Sequence, residues 1–362
     1  MRIFKDLDKT LITVTFLILI IGLLSVFSAT QAKALPFAES YLFRQANFVI
    51  IGIVFLIICV SVSYQKFIDL SYIFYGINII LLVLVLVLGH ARLGAQRWIS
   101  IGGFAFQPSE FMKLSVILAL SNYAGTRKNS MSGFTGIVGP SVLLAVPFVL
   151  VLLQPDLGTA LLLIPVFFSI LAVSGVNLKY VAGMIMLGLA GLPFFWHGLR
   201  EYQRQRLLVF LNPNIDPLGA GYTIIQSKIA VGSGGFFGKG WMNGTQNQLN
   251  FLPERHTDFI FSVIGEEWGF LGAVLLILLY FIIVKRAFNI AALTNDMYGK
   301  AIATGIGVML SLQVIINISM TIGLMPVVGI PLPLVSYGGS SLITTLIAIG
   351  LLLNVGMRRS TF

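Results

Sequence analysis

Ten mostly apolar stretches, each close to the length of a membrane-crossing helix, recur along this chain: 10–28, 46–63, 70–89, 108–125, 136–153, 156–174, 178–198, 258–284, 300–324 and 338–357. A helix needs about 20 residues to cross roughly 30 Å of hydrocarbon, and inside lipid only helices and closed barrels satisfy every backbone polar group. The pattern predicts an all-α integral membrane protein of about ten transmembrane helices, forming one polytopic domain over 1–362. Charged residues make up only 10% of the chain. A soluble domain carries about a quarter, so a soluble globular enzyme is excluded.

The formal net charge of +10 then reads as topology rather than as a nucleic-acid footprint. With the N-terminus inside, Arg2, Lys5, Lys9, Lys66, Arg127, Lys128, Lys179, Lys285, Arg286, Lys300, Arg358 and Arg359 all fall in inner segments. The short outer loops hold only Lys33, Arg44, Arg92 and Arg97. This bias predicts both termini to be cytoplasmic. The lone cysteine, Cys59, precludes an intramolecular disulfide or thiol pair, and His90, His197 and His256 match no metal-ligand spacing.

One long segment, about 199–257 between the seventh and eighth spans, is predicted to be extracytoplasmic. A loop of that length is generally functional or disordered, and its interleaved Tyr222, Ile224, Ile225, Trp241 and Phe251 argue against disorder. Residues 221–231 are expected to form a short amphipathic helix at the membrane surface. GSGGFFGKG at 232–240 resembles a phosphate loop only loosely: Ser233 stands where the first glycine belongs and Gly240 where Ser or Thr belongs. ATP and dinucleotides are therefore excluded as the energy source. The glycines serve either a flexible connection or close backbone packing.

Three carboxylates share one expected position. Gln107-Pro108-Ser109-Glu110, Gln154-Pro155-Asp156 and His256-Thr257-Asp258 open the fourth, sixth and eighth spans, all at the outer face. Each alone is explained by helix capping, whereas three on one side of the membrane suggest a shared polar pocket. Glu110 and Lys113 are three apart on one helical face and can pair inside the span. Glu266 and Glu267 can line a proton or substrate path, or bond to neighbouring helices beside Gly265 and Gly269. GIPLPLVSYGGSS at 329–341 suits close helix packing or anion binding. The outer cations Arg97, Arg200, Arg204, Arg206, Lys228, Lys239 and Arg255 suit a phosphorylated, membrane-bound substrate or lipid headgroups.

The segments GAQRWISIGGFAFQPSEFMK, QPDLGT, EYQRQR, DPLGAGYTIIQSKIAVGSGG, LPERHTDFIFSVIGEEWG and PLPLVSYGGSS together resemble the SEDS family (shape, elongation, division, sporulation). The likeness runs along essentially the whole chain in family order, and EYQRQR and LPERHTDFIF favour the elongation branch over the division branch. The resemblance implies a peptidoglycan glycosyltransferase that polymerises lipid II into glycan strands on the outer face of the bacterial cytoplasmic membrane, releasing undecaprenyl pyrophosphate. The family's essential acidic residue falls on Asp258, and its cavity residues fall on Arg97, Glu110, Lys113 and Asp156. Arg44, Gln107, Ser109, Arg204 and Lys239 are further candidate contacts to substrate or pyrophosphate. The implied partners are a class B penicillin-binding protein transpeptidase and the elongation complex of MreC, MreD, RodZ and MreB.

The chemistry asks for a base that takes a proton from an acceptor sugar hydroxyl while the donor's anomeric carbon loses a polyprenyl pyrophosphate. Asp258 is the expected base, with Lys113 and Arg97 holding phosphate. The sequence identifies no cofactor and no metal site, while a pyrophosphate beside carboxylates can recruit a divalent cation, Mg or Mn. Two other readings use the same residues. A flippase for lipid-linked precursors would use Glu266 and Glu267 as a relay but needs polar access from both faces. A non-catalytic scaffold accounts for the apolar helices but leaves Asp258, Glu110 and Lys113 unexplained.

Overall fold

A computed structural model of the chain describes residues 7–31, 36, 39–92, 95–101, 104–127, 131, 133, 135–199, 201–217 and 219–358. Arg2, Lys5, Lys33, Lys128, Arg200 and Arg359 of the charge pattern lie outside the described residues, as do Gly94, Gly102, Gly103 and Leu218 of the motifs.

The chain begins with α1 (Lys9–Thr30), α2 (Tyr41–Ser61), a short α3 (Tyr64–Asp69) and α4 (Ser71–Leu88). Three strands follow, β1 (His90–Arg92), β2 (Ala95–Ile101) and β3 (Phe104–Phe106), and then α5 (Pro108–Thr126), α6 (Thr135–Leu153), α7 (Leu157–Val173) and α8 (Leu178–Gly198). The long segment holds α9 (Glu201–Leu211), a 3-10 turn (Pro213–Ile215), α10 (Ala220–Ser233) and α11 (Thr245–Gln248). The chain closes with α12 (Ile260–Leu293), α13 (Met297–Thr321) and α14 (Gly339–Arg358).

All ten apolar stretches coincide with helices, and seven of these are long and apolar enough to cross a membrane: α1, α2, α4, α6 from Gly136, α12, α13 and α14. α7 and the apolar part of α8 are shorter. α5 is more polar, because Ser109, Glu110, Lys113, Ser115, Ser121 and Asn122 are all buried within it. Side-chain caps start several helices: Asp8 accepts from Leu11 N, Ser40 from Phe43 N and Asp296 from Gly299 N. Each satisfies an amide that the first turn leaves orphaned.

α14 and α13 are the most buried spans, α14 lying against α2 and α13 against α5, α7 and α12. Ile50, Ile57, Ile73, Ile80 and Leu187 remain exposed on α2, α4 and α8. Those are faces that an integral membrane protein turns to lipid.

Two expectations change. The all-α class gives way to a mostly helical one with a small antiparallel sheet in the order β1-β2-β3, in which Ile99 faces Phe106 and Arg92 faces Ala95. The segment Gln96-Arg97-Trp98-Ile99-Ser100-Ile101 is rich in aromatic and β-branched residues, so it pairs as strand between two apolar helices. The long segment is not a plain loop either. The expected helix at 221–231 is α10, yet it is docked against the bundle, with Ser227 Oγ 2.6 Å from Ser262 Oγ of α12 and donating to Thr321 O of α13 at 2.6 Å.

Candidate active site

The helix starts of α5, α7, α12 and α14 and the strand β2 come together at one end of the bundle. β2 carries Arg97 to the α6–α7 corner, where its guanidinium donates to Gln154 O and Pro155 O and lies 3.7 Å from the Asp156 carboxylate. Asp156, 2% exposed, caps α7 by accepting from Thr159 N at 3.3 Å and Thr159 Oγ1 at 2.9 Å. Its Oδ2 also accepts from Ser109 Oγ at 3.1 Å and Gln107 Nε2 at 3.2 Å, tying α7 to the start of α5. Gln107 N in turn donates to Ser340 Oγ of α14 at 2.9 Å.

Glu110 and Lys113 pair as the spacing predicts, with Nζ 2.8 Å from both carboxylate oxygens and both side chains almost fully buried. Neither charge is left alone in the bundle, where an unpaired one would cost several kcal/mol. This places Lys113 as Glu110's counter-ion in the wall behind Ser109.

Asp258 differs from the other two carboxylates. α12 begins at Ile260, so Asp258 sits in the turn before the helix and does not cap it. Among the described residues its carboxylate accepts no hydrogen bond and joins no ion pair. The turn itself is fixed from outside: Tyr337 N donates to His256 O at 2.8 Å and Ser336 Oγ to Thr257 O at 2.6 Å. The His256 ring packs against Tyr41 and Tyr337, at centroid distances of 4.7 and 5.7 Å. Gly329, at φ +74°, brings its backbone against the acid, since a Cβ there would lie 3.4 Å from Asp258 Oδ2. Burial pushes the Asp258 carboxyl up to about 6; Glu254 and Asp156 push the same way, and Arg206 and Arg97 pull against them. A carboxyl in that range is ionised at neutral pH and basic enough to accept a proton.

The two arginines share a pocket, lined by Arg97, Pro155, Tyr202, Gln203, Arg206 and Val327 among others. Tyr202 OH donates to Pro155 O at 3.0 Å, which fixes α9 over the corner. Arg206, one helical turn on, lies over the Tyr202 ring at 5.7 Å and donates to Val327 O at 3.2 Å. The sequence places Arg206 among the outer cations but gives no reason to single it out. That reason is the i, i+4 spacing from Tyr202, once EYQRQR is known to be helical.

The other candidates are placed elsewhere. Arg204 donates to Trp196 O and His197 O, the last carbonyls of α8. Arg44 is exposed on the first turn of α2. Lys239 pairs with Glu266 at 2.8 Å. Glu266 also accepts from Gln246 N at 3.0 Å and Thr245 Oγ1 at 3.1 Å, and Glu267 from Asn247 Nδ2 at 3.2 Å and from Ser28 of α1. The two glutamates thus hold 239–247 against α1 and α12 and are bonded on all sides. Of the two roles open to them, this geometry favours packing. Among the described residues no three His, Cys, Asp or Glu side chains converge as a cation site.

A membrane-embedded helical bundle whose unbonded Asp258 feels two guanidinium charges defines a class suited to transfer chemistry on an anionic substrate. The FtsW/RodA/SpoVE family of cell cycle proteins matches residues 8–361, and the chain belongs to that family. The peptidoglycan glycosyltransferase MrdB of Escherichia coli K12 is 40% identical over 98% of this chain and 94% of its own. Among solved structures, a peptidoglycan synthase complex, described as coordinating polymerization and crosslinking, contains a chain that matches with a TM-score of 0.82 and 35% identity, over 98% of this chain and 99% of the other. The rod shape determining protein RodA of Thermus thermophilus matches with a TM-score of 0.73 and 32% identity, over 98% of each chain.

Proposed function

We propose that this protein is a peptidoglycan glycosyltransferase of the elongation branch, polymerising lipid II into glycan strands at the outer face of the bacterial cytoplasmic membrane. The observation that carries the reading is Asp258: an acid with no hydrogen bond among the described residues, pushed up to about 6, and acted on by the charges of Arg97 and Arg206, which line one pocket. The name of the E. coli relative and the likeness to the synthase complex support the same reaction.

In this reading Asp258 takes the proton from the acceptor sugar hydroxyl as that oxygen bonds to the donor's anomeric carbon. The bond from that carbon to phosphate oxygen breaks, its electron pair leaves with undecaprenyl pyrophosphate, and the anomeric centre inverts in one displacement. Arg97 and Arg206 offset charge growing on the leaving diphosphate. Gln107 and Ser109 orient Asp156, which keeps Arg97 in place. Glu110 and Lys113 support that wall from the bundle, and Arg44, Arg204 and Lys239 contribute charge to lipid headgroups at the same face. A divalent cation, Mg or Mn, would enter as a counter-ion of the diphosphate.

The protein is read as one polytopic domain of ten spans with both termini cytoplasmic and the Asp258 end outside. A class B penicillin-binding protein would cross-link the strands, within an elongation complex of MreC, MreD, RodZ and MreB. The test is strand formation from purified lipid II, with the class B partner present, by wild type and Asp258→Asn. Polymer from wild type and none from a folded Asp258→Asn is the expected result; polymer from the Asn variant overturns the role of the acid.

A further inference from the structure

Three successive carbonyls at the acid, His256 O, Thr257 O and Asp258 O, each accept a hydrogen bond from a different group. The first two are met by Tyr337 N and Ser336 Oγ, both in the segment after α13. The third is met from within the bundle: Asn317 Nδ2, on α13, donates to Asp258 O at 3.0 Å and also to Ile330 O at 2.8 Å. Asn317 is 0% exposed, so water does not compete for either bond. Ser336 repeats the arrangement on a smaller scale, accepting from Leu332 N at 2.8 Å while donating to Thr257 O. Gln45 of α2 then fixes the far end, donating to Ser336 O at 3.1 Å and accepting from Gly338 N at 3.3 Å.

Among the described residues the Asp258 carboxylate has no hydrogen bond of its own to orient it, so its place is set through its main chain. A planar amide with both N–H groups engaged links the Asp258 carbonyl to the turn at Gly329–Ile330, the turn whose backbone lies against the carboxylate. We propose that Asn317 is a positioning residue for Asp258, its amide clamping the Asp258 main chain to the 329–330 turn, with Ser336 as the second point of the clamp. This rests on Asp258 being the base. It gives GIPLPLVSYGGSS a task beyond close packing or anion binding, which is to hold an acid in the turn before another helix.

The experiment uses the full-length protein in lipid nanodiscs with lipid II and the class B partner, measuring kcat, KM for lipid II and thermal melting. Asn317→Ala deletes both bonds. The control is Gln313→Leu, one turn earlier on α13 and 1% exposed, whose amide makes no bond to the turn. Displacing a reacting group by about 1 Å can cost about 100-fold, so Asn317→Ala is expected to lower kcat by roughly 10- to 100-fold with KM within about twofold. Gln313→Leu should stay within about threefold of wild type, a band well short of that loss. Ser336→Ala should repeat the kcat-only loss, and it carries the test where Asn317→Ala does not fold. Wild-type kcat in folded Asn317→Ala, or an equal loss in Gln313→Leu, overturns the clamp while leaving Asp258 as base. An active Asp258→Asn overturns both.

Discussion

Three acids meet at one end of this bundle, and their surroundings assign them different work. Asp156 accepts from an amide, two hydroxyls and a side-chain amide, and Glu110 takes both oxygens to one ammonium, so both are fully engaged by partners. Asp258 has no such partner and is pushed up to about 6 by burial first, with Glu254 next. The ionised form is the working base, so polymerisation should be flat above about pH 7 and fall about tenfold per pH unit well below 6. The effect on stability has the opposite sign. The folded value lies above the ordinary 3.8, so ionisation costs the fold stability above pH 6, and the cost fades as pH falls through the folded value. Asp258→Asn should therefore raise the melting temperature at pH 8, by the equivalent of at most about 3 kcal/mol, and lose that advantage toward pH 4. Melting curves at the two pH values check it; equal stabilisation at both would remove the charge from the explanation.

At the scale of elements, the Asp258-bearing end of α12 is a half-helix. Gly269 sits at φ 64°, ψ −160°, a backbone region open essentially to glycine alone, and the helix breaks there. The break leaves carbonyls and amides without helical partners, and the glycine-rich segment meets them: Lys239 N and Gly240 N donate to Glu266 O and Glu267 O, while Phe270 N and Leu271 N donate to Gly235 O and Phe236 O. A Cβ on Gly269 would collide with the Gly238 amide nitrogen. Gly269→Ala should cost about 1–3 kcal/mol in backbone strain alone and free 234–247 for limited proteolysis. Gly232→Ala, whose Cβ meets nothing, should leave the cleavage pattern unchanged; cleavage that does not distinguish the two variants would contradict this pairing. The same elements show where sequence reading ends. α12 reads as one unbroken apolar run, because hydropathy does not register φ and ψ, and the partner of its break lies some 30 residues earlier in GSGGFFGKG. Close backbone packing was one of two readings for those glycines, and only the fold decides between them. The sheet was missed for a different reason: β2 is short and lies between two strongly apolar helices, although Gly102-Gly103 between two apolar runs is itself a hairpin signal. Asp258, Arg97, Asp156 and the Glu110–Lys113 pair were legible because charge is scarce in this chain. Asn317 was not, since one amide in a membrane helix carries no sign of what it bonds.

For the whole molecule, the spans were legible from length and hydropathy, and the open question is which face the Asp258 end presents. The site joins the starts of α5, α7, α12 and α14 to the segment between α8 and α12, so all of it lies at one membrane face. Ile215 lies in the turn between α9 and α10 on that side, and Asn295 in the turn between α12 and α13. Between them, among the described residues, the one helix long and apolar enough to cross a membrane is α12, so the two turns are expected at opposite faces. The basic residues Lys285, Arg286 and Lys300 flank the Asn295 turn, so the positive-inside bias predicts that turn to be cytoplasmic. The native chain offers one thiol, Cys59, buried between α2 and α14, so Cys59→Ala gives a background free of cysteine. On that background, Ile215→Cys and Asn295→Cys each put one thiol at an exposed position. In intact cells with a permeable outer envelope, a membrane-impermeant maleimide should label Ile215→Cys at once and Asn295→Cys only after the cytoplasmic membrane is opened. The reverse pattern would put Asp258 on the cytoplasmic side, away from any glycan strand being built outside, and polymerisation at the outer face would no longer be open to this protein.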